Sequence, residues 1–471
     1  MLPACRLFLR RKSETPFLSM IKKPWKKIYG SAVIAANLRG QRRVPFLPRE
    51  KLEAIRDRRI RNIVSYAAKT VPYYRDLFAR ERINPEKIRS AGDLDRLPVI
   101  DKELVRKQPH LFIAETSAGE NALSFFSSGS TGTPMEIHHD QHSLLTNIAF
   151  GERERESVIR ICDGSFRPKE LYVGYETSTF RNVVAFYEES VLFPVRPQRR
   201  FVSMLEPIEK IAALANTECP DILVGYGGWI HLFFKIIGAR RIDIKLPKMI
   251  MYMGEALPHG GREYIEETFG IPVLSRYNTV EAFKIGFFCE ERTGFHLHED
   301  LCHVRIGGMN GETVPAGEQG KIIISNLVNR ATVLLNYPVG DLASLSLKSC
   351  SCGRTLRLLS ELEGRVEDIL PLVDGRFIHP RAVWQVFKND RDVLQYQLIQ
   401  HELQRFELIL VTKGEIEFQR ALERALPELE TLLAPDAFIE ASRRTDFARS
   451  SGAKFRAVAS LCSSRIATSF P

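Results

Sequence analysis

The sequence predicts an α/β fold, with a large N-terminal α/β domain followed by a smaller α+β domain. Three observations lead there. Residues 120–330 alternate short apolar runs with stretches of helical spacing. Ile222-Leu223-Val224 and Met249-Ile250-Met251-Tyr252-Met253 are such runs, and Tyr264-Ile265-Glu266-Glu267 lies between later strands. That alternation marks a sheet covered by helices. Near the C-terminus, Tyr396-Gln397-Leu398-Ile399 and Phe406-Glu407-Leu408-Ile409-Leu410-Val411 read as paired strands, with a helix after them at about 415–426. The chain has 471 residues, too many for one ordinary domain. With 44% hydrophobic and 26% charged residues it is globular, which excludes a largely disordered or collagen-like chain.

Taken in order, the first 45 residues form a basic arm. They hold 11 Lys and Arg and one acid, Glu14, which is the whole net charge of +10. Residues 46–471 carry 56 charges of each sign, so the body offers no basic nucleic-acid surface. Three readings of the arm stay open. One is peripheral attachment to anionic lipid. Another is a transit peptide, since acids are nearly absent. The third is a solvated extension, or a first helix packed on the body. No apolar run approaches the roughly 18 residues of a membrane span. No signal-peptide pattern opens the chain.

Leu52, Ile55, Ile60, Ile63, Val64 and Ala67 recur at helical spacing and predict helix over 50–82, broken at Val71-Pro72-Tyr73-Tyr74. Residues 301–345, with Gly320-Lys321-Ile322-Ile323-Ile324, predict a smaller β element. A boundary is expected at Gly364-Arg365, giving an N-terminal domain of residues 46–364 and a C-terminal domain of residues 365–471. No repeat or low-complexity linker is present. Eight cysteines are too sparse for a secreted disulfide scaffold, and a reducing cytoplasm is expected. Cys5, Cys162, Cys219 and Cys462 stand alone and are expected to be buried. Cys350 and Cys352 form a tight pair, with Cys289 upstream.

The segment Phe125-Phe126-Ser127-Ser128-Gly129-Ser130-Thr131-Gly132-Thr133-Pro134 runs from an apolar strand end into hydroxyl residues and two glycines. Glycine lets backbone N–H groups approach an anion, and hydroxyls add neutral donors. The Gly-Lys-Ser/Thr ending of a Walker loop is absent. On its own the segment is a phosphate loop or a plain hairpin loop. It resembles the ATP-phosphate loop of the adenylate-forming enzymes, the acyl-CoA synthetase and ligase superfamily. More narrowly, the chain resembles the phenylacetate–CoA ligase-like branch, which includes capsule-biosynthesis and coenzyme F390 synthetase-like proteins. Ser65-Tyr66-Ala67, Val71-Pro72-Tyr73-Tyr74-Arg75 and Leu97-Pro98-Val99-Ile100-Asp101-Lys102 match that branch in order. The resemblance spans about residues 50–460.

The resemblance implies site residues. Ser127, Ser128, Gly129, Ser130, Thr131 and Gly132 would hold the ATP phosphates. Gly254 and Glu255, in Met253-Gly254-Glu255-Ala256-Leu257, would border the adenine. Tyr277-Asn278-Thr279-Val280-Glu281 would place Tyr277 near the adenine and Glu281 on Mg²⁺, an ion that takes one or two carboxylates plus phosphate oxygens and water. Asn278 replaces the family's Gly here, and Val280 replaces the hydroxyl residue that contacts the α-phosphate. Either Thr279 substitutes or activity is weakened. Asp341, in Tyr337-Pro338-Val339-Gly340-Asp341-Leu342, would accept both ribose hydroxyls. Arg365, in Gly364-Arg365-Val366-Glu367-Asp368, would reach the nucleotide, with Glu367 or Asp368 as the hinge acid. Lys454, in Ser451-Gly452-Ala453-Lys454-Phe455-Arg456, would bridge the carboxylate and the α-phosphate, a cation placed where charge develops. Ala453 is one residue more than the usual spacing. Tyr226 and Trp229, in Gly225-Tyr226-Gly227-Gly228-Trp229, either cover the acyl group or pack a helix start.

Cys289 and His296, with Cys350-x-Cys352-Gly353-Arg354, offer thiolate and imidazole ligands for tetrahedral Zn²⁺. The second half resembles a Cys-Pro-Cys-Gly-Arg segment of the branch, with Ser351 for Pro, and some members carry zinc there. His298 and Cys302 compete as ligands. Reduced cysteines in an apolar setting are the alternative.

The implied chemistry is ATP-dependent carboxylate activation, giving acyl-AMP and pyrophosphate. A mobile C-terminal domain then rotates, and a thiol, CoA, attacks the adenylate. One alternative hands the acyl group to an amine or a sugar hydroxyl in polysaccharide biosynthesis. Another is a catalytically degenerate nucleotide-binding scaffold, motivated by Val280 and Ala453. The sequence does not name the acid.

Overall fold

The computed structural model describes residues 16–117, 122–127, 135–174, 178–195, 198–204, 206–257, 260–308, 310–360, 362, 370–373, 377–378, 380–387, 390–434, 436–445 and 456–462. Its first helix, Pro16–Leu38, lies against the helices Gln141–Phe150 and Thr179–Ser190. Val33 and Ile34 join a small core there with Leu145, Phe186 and Val191. The helix Arg49–Thr70 buries Leu52, Ile60, Ile63, Val64 and Ala67 along one face, as their spacing requires. Pro72 opens a new helix, Pro72–Arg80, at a position where its missing N–H costs nothing.

The centre is an eight-stranded sheet. Five strands are parallel, in the spatial order Gln198–Ser203, Lys169–Gly174, Ile222–Gly225, Met249–Met253 and Val273–Tyr277. Each parallel step needs a crossover, and Thr179–Ser190, Ile208–Glu218, Gly227–Arg240 and Gly261–Phe269 supply the helices. Met249–Met253 is buried at every position, as a strand covered on both faces should be. Beyond Val273–Tyr277 the sheet continues antiparallel through Gly286–Phe288, Phe295–Leu297 and Leu358–Leu359. The β element expected over 301–345 is a separate antiparallel sheet of Cys302–Gly307, Gln319–Asn326 and Tyr337–Ser344.

The C-terminal part is α+β. The strands Val393–Glu402 and Arg405–Thr412 form the expected hairpin. Val458–Ser460 and Phe438–Arg444 add to its two sides in parallel, making four strands. The helix Glu415–Leu433 covers this sheet with Phe418, Ala421, Ala425, Leu429 and Leu433, and runs past the expected end despite Pro427.

Two of the lone cysteines depart from expectation. Cys162 is buried, whereas Cys219 and Cys462 are half-exposed; Cys5 lies outside the described residues. Cys219 ends the helix Ile208–Glu218 in a left-handed conformation, φ 48°, at the surface. No helix among the described residues is long and apolar enough to cross a membrane.

Candidate active site and metal centre

Three neighbouring parallel strands end side by side. Ile222–Gly225 leads into Tyr226 and Gly227, Met249–Met253 into Gly254 and Glu255, and Val273–Tyr277 into Asn278 and Thr279. In open α/β sheets the crevice beyond such carboxyl ends is where ligands bind. The first two turns are in contact. A Cβ at Gly227 would come within 2.4 Å of the Ala256 carbonyl oxygen, and the Gly228 N–H donates to Glu255 Oε2 at 3.1 Å. Gly254 adopts φ +75°, which favours glycine. Tyr226 is half-buried beside it. Trp229 is 2% exposed and stacks on Phe233 inside the core, as a residue packing a helix start does.

Tyr277 closes the last parallel strand, and its hydroxyl donates to Asp341 Oδ2 at 2.7 Å. Asp341 belongs to the strand Tyr337–Ser344 of the other sheet, so two sheets meet at one carboxylate. The hairpin of Ala122–Ser127 and Met135–Asp140 closes a further side. Its open end pairs Ser127 with Met135, whose sulfur accepts from the Tyr337 hydroxyl at 3.7 Å. Its base carries His139, whose Nε2 donates to the Val280 carbonyl at 2.7 Å. Burial holds that imidazole neutral, with its pKa pushed down to about 4.

The loop from Tyr277 to Phe283 is clamped at both ends by one side chain. Glu154, on the helix Glu152–Ile161, takes Arg276 at 2.5 Å through one oxygen and Lys284 at 2.5 Å through the other. Burial alone would raise the Glu154 pKa, but the two cations overcome it and hold the group at about 2. Lys284, itself desolvated, is pushed below the ordinary lysine value. Asn326 Nδ2 pins the Glu281 carbonyl at 2.9 Å. Glu281 is buried, and Val280 packs against the core. The Asn278 amide, turned with its nitrogen inward, lies 3.0 Å from the carbonyl oxygens of Phe283 and Tyr277. Thr279 Oγ1 is buried with no hydrogen-bond partner among the described residues.

A second cluster lies at the antiparallel side of the sheet. Ligand atoms of Cys289, His296, Cys350 and Cys352 all fall within 4.8 Å of one another. Cys289 Sγ and Cys350 Sγ are 3.6 Å apart, and Cys352 Sγ and His296 Nε2 are 3.4 Å apart. A tetrahedron with ordinary Zn–S and Zn–N bonds has edges of about 3.5–3.8 Å, so the four residues fit Zn²⁺. Burial, aided by Arg354, pushes the His296 pKa down to about 4, keeping the neutral form that ligation needs. Thr293 Oγ1 donates to Cys350 Sγ at 3.3 Å, and the Arg354 N–H to Cys352 Sγ at 3.5 Å. The competing candidates are placed elsewhere: His298 lies against Phe287 and Phe150, and Cys302 beside the His303 carbonyl.

No protein-family model matches the chain. Curated relatives do match. The chain is 26% identical over 364 residues to a phenylacetate–coenzyme A ligase of Thermus thermophilus, covering 75% of this chain and 79% of that one. It is 23% identical over 363 residues to one of Escherichia coli, covering 74% and 79%. A crystal structure of 2-hydroxyisobutyryl-CoA ligase, in the postadenylation state with an AMP ligand, has TM-score 0.70 at 16% identity, covering 89% of this chain and 91% of that one. The same enzyme in its thioesterification state, with 2-HIB-AMP and CoA, has TM-score 0.55 at 16% identity over the same shares. The chain is thus similar in sequence to phenylacetate–coenzyme A ligases along three quarters of its length, and it shares the fold of an adenylate-forming CoA ligase.

Of the nucleotide residues the superfamily motifs mark, Gly254, Glu255, Tyr277, Asn278, Thr279, Glu281 and Asp341 stand on loops and strands that meet at this crevice. Ser127 ends its strand there, but Ser128, Gly129, Ser130, Thr131 and Gly132 lie outside the described residues. So do Arg365, Glu367, Asp368 and Lys454. Motif reading missed Glu154, His139 and Asn326, which touch the loop from outside the motif. Glu154 sits 122 residues from Arg276, His139 sits 141 from Val280 and Asn326 sits 45 from Glu281, and nothing local in the sequence marks them.

Proposed function

We propose that the protein is an AMP-forming acid–CoA ligase of the phenylacetate–CoA ligase type. The observation that carries this is the Tyr277–Asp341 hydrogen bond beyond the carboxyl ends of the parallel strands. It joins the two motif residues expected at adenine and ribose, from separate sheets, in a chain related to phenylacetate–coenzyme A ligases along three quarters of its length.

In the proposed reaction a carboxylate oxygen attacks the α-phosphorus of ATP, and pyrophosphate leaves. The CoA sulfur then attacks the acyl carbon, and AMP leaves. Tyr277 flanks the adenine, and Asp341 accepts the ribose hydroxyls through oxygen lone pairs that Tyr277 does not use. The Thr279 hydroxyl donates to the α-phosphate in place of the side chain that Val280 lacks. Glu281 holds Mg²⁺, which supplies charge neutralisation on the phosphates. Lys454 neutralises the oxygen on which charge builds up, and Arg365 reaches the nucleotide after the hinge moves. Tyr226 lines the acyl end. Cys289, His296, Cys350 and Cys352 hold a structural Zn²⁺ with no open position for chemistry. The reduced cysteines favour a cytoplasmic setting.

Purified protein with ATP, Mg²⁺ and a panel of carboxylic acids that includes phenylacetate is expected to release pyrophosphate and form a CoA thioester. Lys454→Ala is expected to cut pyrophosphate release about 100-fold or more. ATP binding without acid-dependent pyrophosphate from any panel member would replace this reading with the scaffold one.

A further inference from the structure

We infer that the outer face of the first helix and the loop that follows Val191 form one docking surface for an anionic lipid bilayer. The two segments are about 160 residues apart and meet in the fold. The helix backbone at Gly30 rests on the end of the helix Thr179–Ser190, where a Cβ would strike the Ser190 carbonyl oxygen. One residue on, the Ser31 hydroxyl accepts from the Leu192 N–H at 3.0 Å. The loop therefore leaves the body beside the helix, one turn from Lys27 and Ile28.

Both segments turn large apolar side chains outward at this junction. Trp25 is 68% exposed and Phe193 is 89% exposed, with Ile28, Leu192 and Val195 also exposed around them. Scattered exposed apolar residues are ordinary, but these stand on two remote segments that the Ser31–Leu192 hydrogen bond ties together. The inner side of the same helix is spent on packing, through Val33 and Ile34, so its outer side is not needed for the core.

The charge around the patch selects the occupant. Lys27 is half-exposed and Lys26 exposed in the same turn as Trp25 and Ile28, with the Lys26 Nζ 5.6 Å from the Phe186 ring centroid at the edge of the packed side. Residues 1–45 hold 11 basic residues and one acid, while the rest of the chain is neutral. Two acids, Glu188 and Glu189, lie near the end of the helix to which it packs. Tryptophan and phenylalanine beside lysine suit the boundary of acyl chains and anionic headgroups, where rings insert shallowly and ammonium groups meet phosphate. A neutral protein partner would gain nothing from this segregation of charge. The surface gives the molecule a way to sit on a membrane without a span, and its inference is independent of the ligase reading.

The full chain tests it by co-sedimentation with vesicles of phosphatidylcholine alone and with about 30% phosphatidylserine. Binding is expected to the anionic vesicles only, and to fall steeply between 50 mM and 500 mM salt. Lys26→Gln with Lys27→Gln is expected to weaken it about fivefold per lysine. Trp25→Ala with Phe193→Ser is expected to weaken it at least tenfold with an unchanged circular dichroism melt. No binding at low salt, equal binding to both vesicles, or unaltered binding by both folded double variants would overturn the inference. So would a dimer that Trp25→Ala with Phe193→Ser converts to monomer, because the patch would then be the contact between two copies.

Discussion

Thr279 carries a hydroxyl that the fold buries and leaves without a partner among the described residues. An unsatisfied buried donor is a cost of about 1–3 kcal/mol unless a ligand uses it. Its neighbour Val280 turns inward against the core and gives its carbonyl to His139. Val280 is thereby accommodated as packing, and the adjacent Thr279 hydroxyl stays available for the phosphate contact proposed above. Thr279→Val keeps the shape and removes the donor. It is expected to lower kcat/KM for ATP about tenfold or more in a pyrophosphate assay, while Tm stays the same or rises. A lower Tm with unchanged kcat/KM would make the hydroxyl structural. The motif made Tyr277, Glu281 and Asp341 readable as a set. It did not tell Thr279 from Val280, because that choice depends on which side chain faces the core.

The loop Tyr277–Phe283 acts as an element held by remote groups. Glu154 joins both of its ends through Arg276 and Lys284, and Glu154→Gln removes the buried anion from two half-buried cations. Breaking a buried pair in this way costs about 3–5 kcal/mol. The expected result is a marked loss of stability together with a higher KM for ATP. The pH dependence has a definite sign. The folded-state pKa of Glu154 is about 2 against an ordinary 4.5, so its contribution is complete above about pH 4.5. It is lost as pH falls through the window between those values. Tm measured from pH 7 down to 3 should fall more steeply for wild type than for Glu154→Gln in that window. Equal slopes would show that Glu154 is not the group responsible. The parallel strands beside this loop's own strand were legible because residues 249–253 and 222–225 are unbroken apolar runs, as a strand buried on both faces needs. The clamp was not legible, since Glu154 sits in a highly charged helical run that reads as a solvated face.

At the scale of the molecule, the cluster of Cys289, His296, Cys350 and Cys352 joins the antiparallel strands to the loop that carries Cys350 and Cys352. Purified protein is expected to hold about one equivalent of zinc. Cys350→Ser is expected to lose it and to lower Tm by roughly 5–10 °C, as the loss of a cross-link in a large domain should. Metal-free wild type with the same Tm would remove the zinc assignment. The four grouped ligand types were written in the sequence, as was the succession of an α/β part and an α+β part; the expected boundary at Gly364-Arg365 lies outside the described residues. Apolar periodicity and Pro72 likewise located the early helices, because local spacing decides which face of a helix is buried. The sequence named His296 with His298 as a competitor, and the tertiary structure separates them, since the strand Phe295–Leu297 brings one ring to three thiols and leaves the other against Phe287. It alone brought Tyr277 to Asp341, Glu154 to both ends of the loop Tyr277–Phe283, and Leu192 to Ser31. Those contacts join residues 64 to 161 positions apart. Patterning along a chain records which residues must be buried, but their partners across the fold are set only when the sheets and helices close around one another.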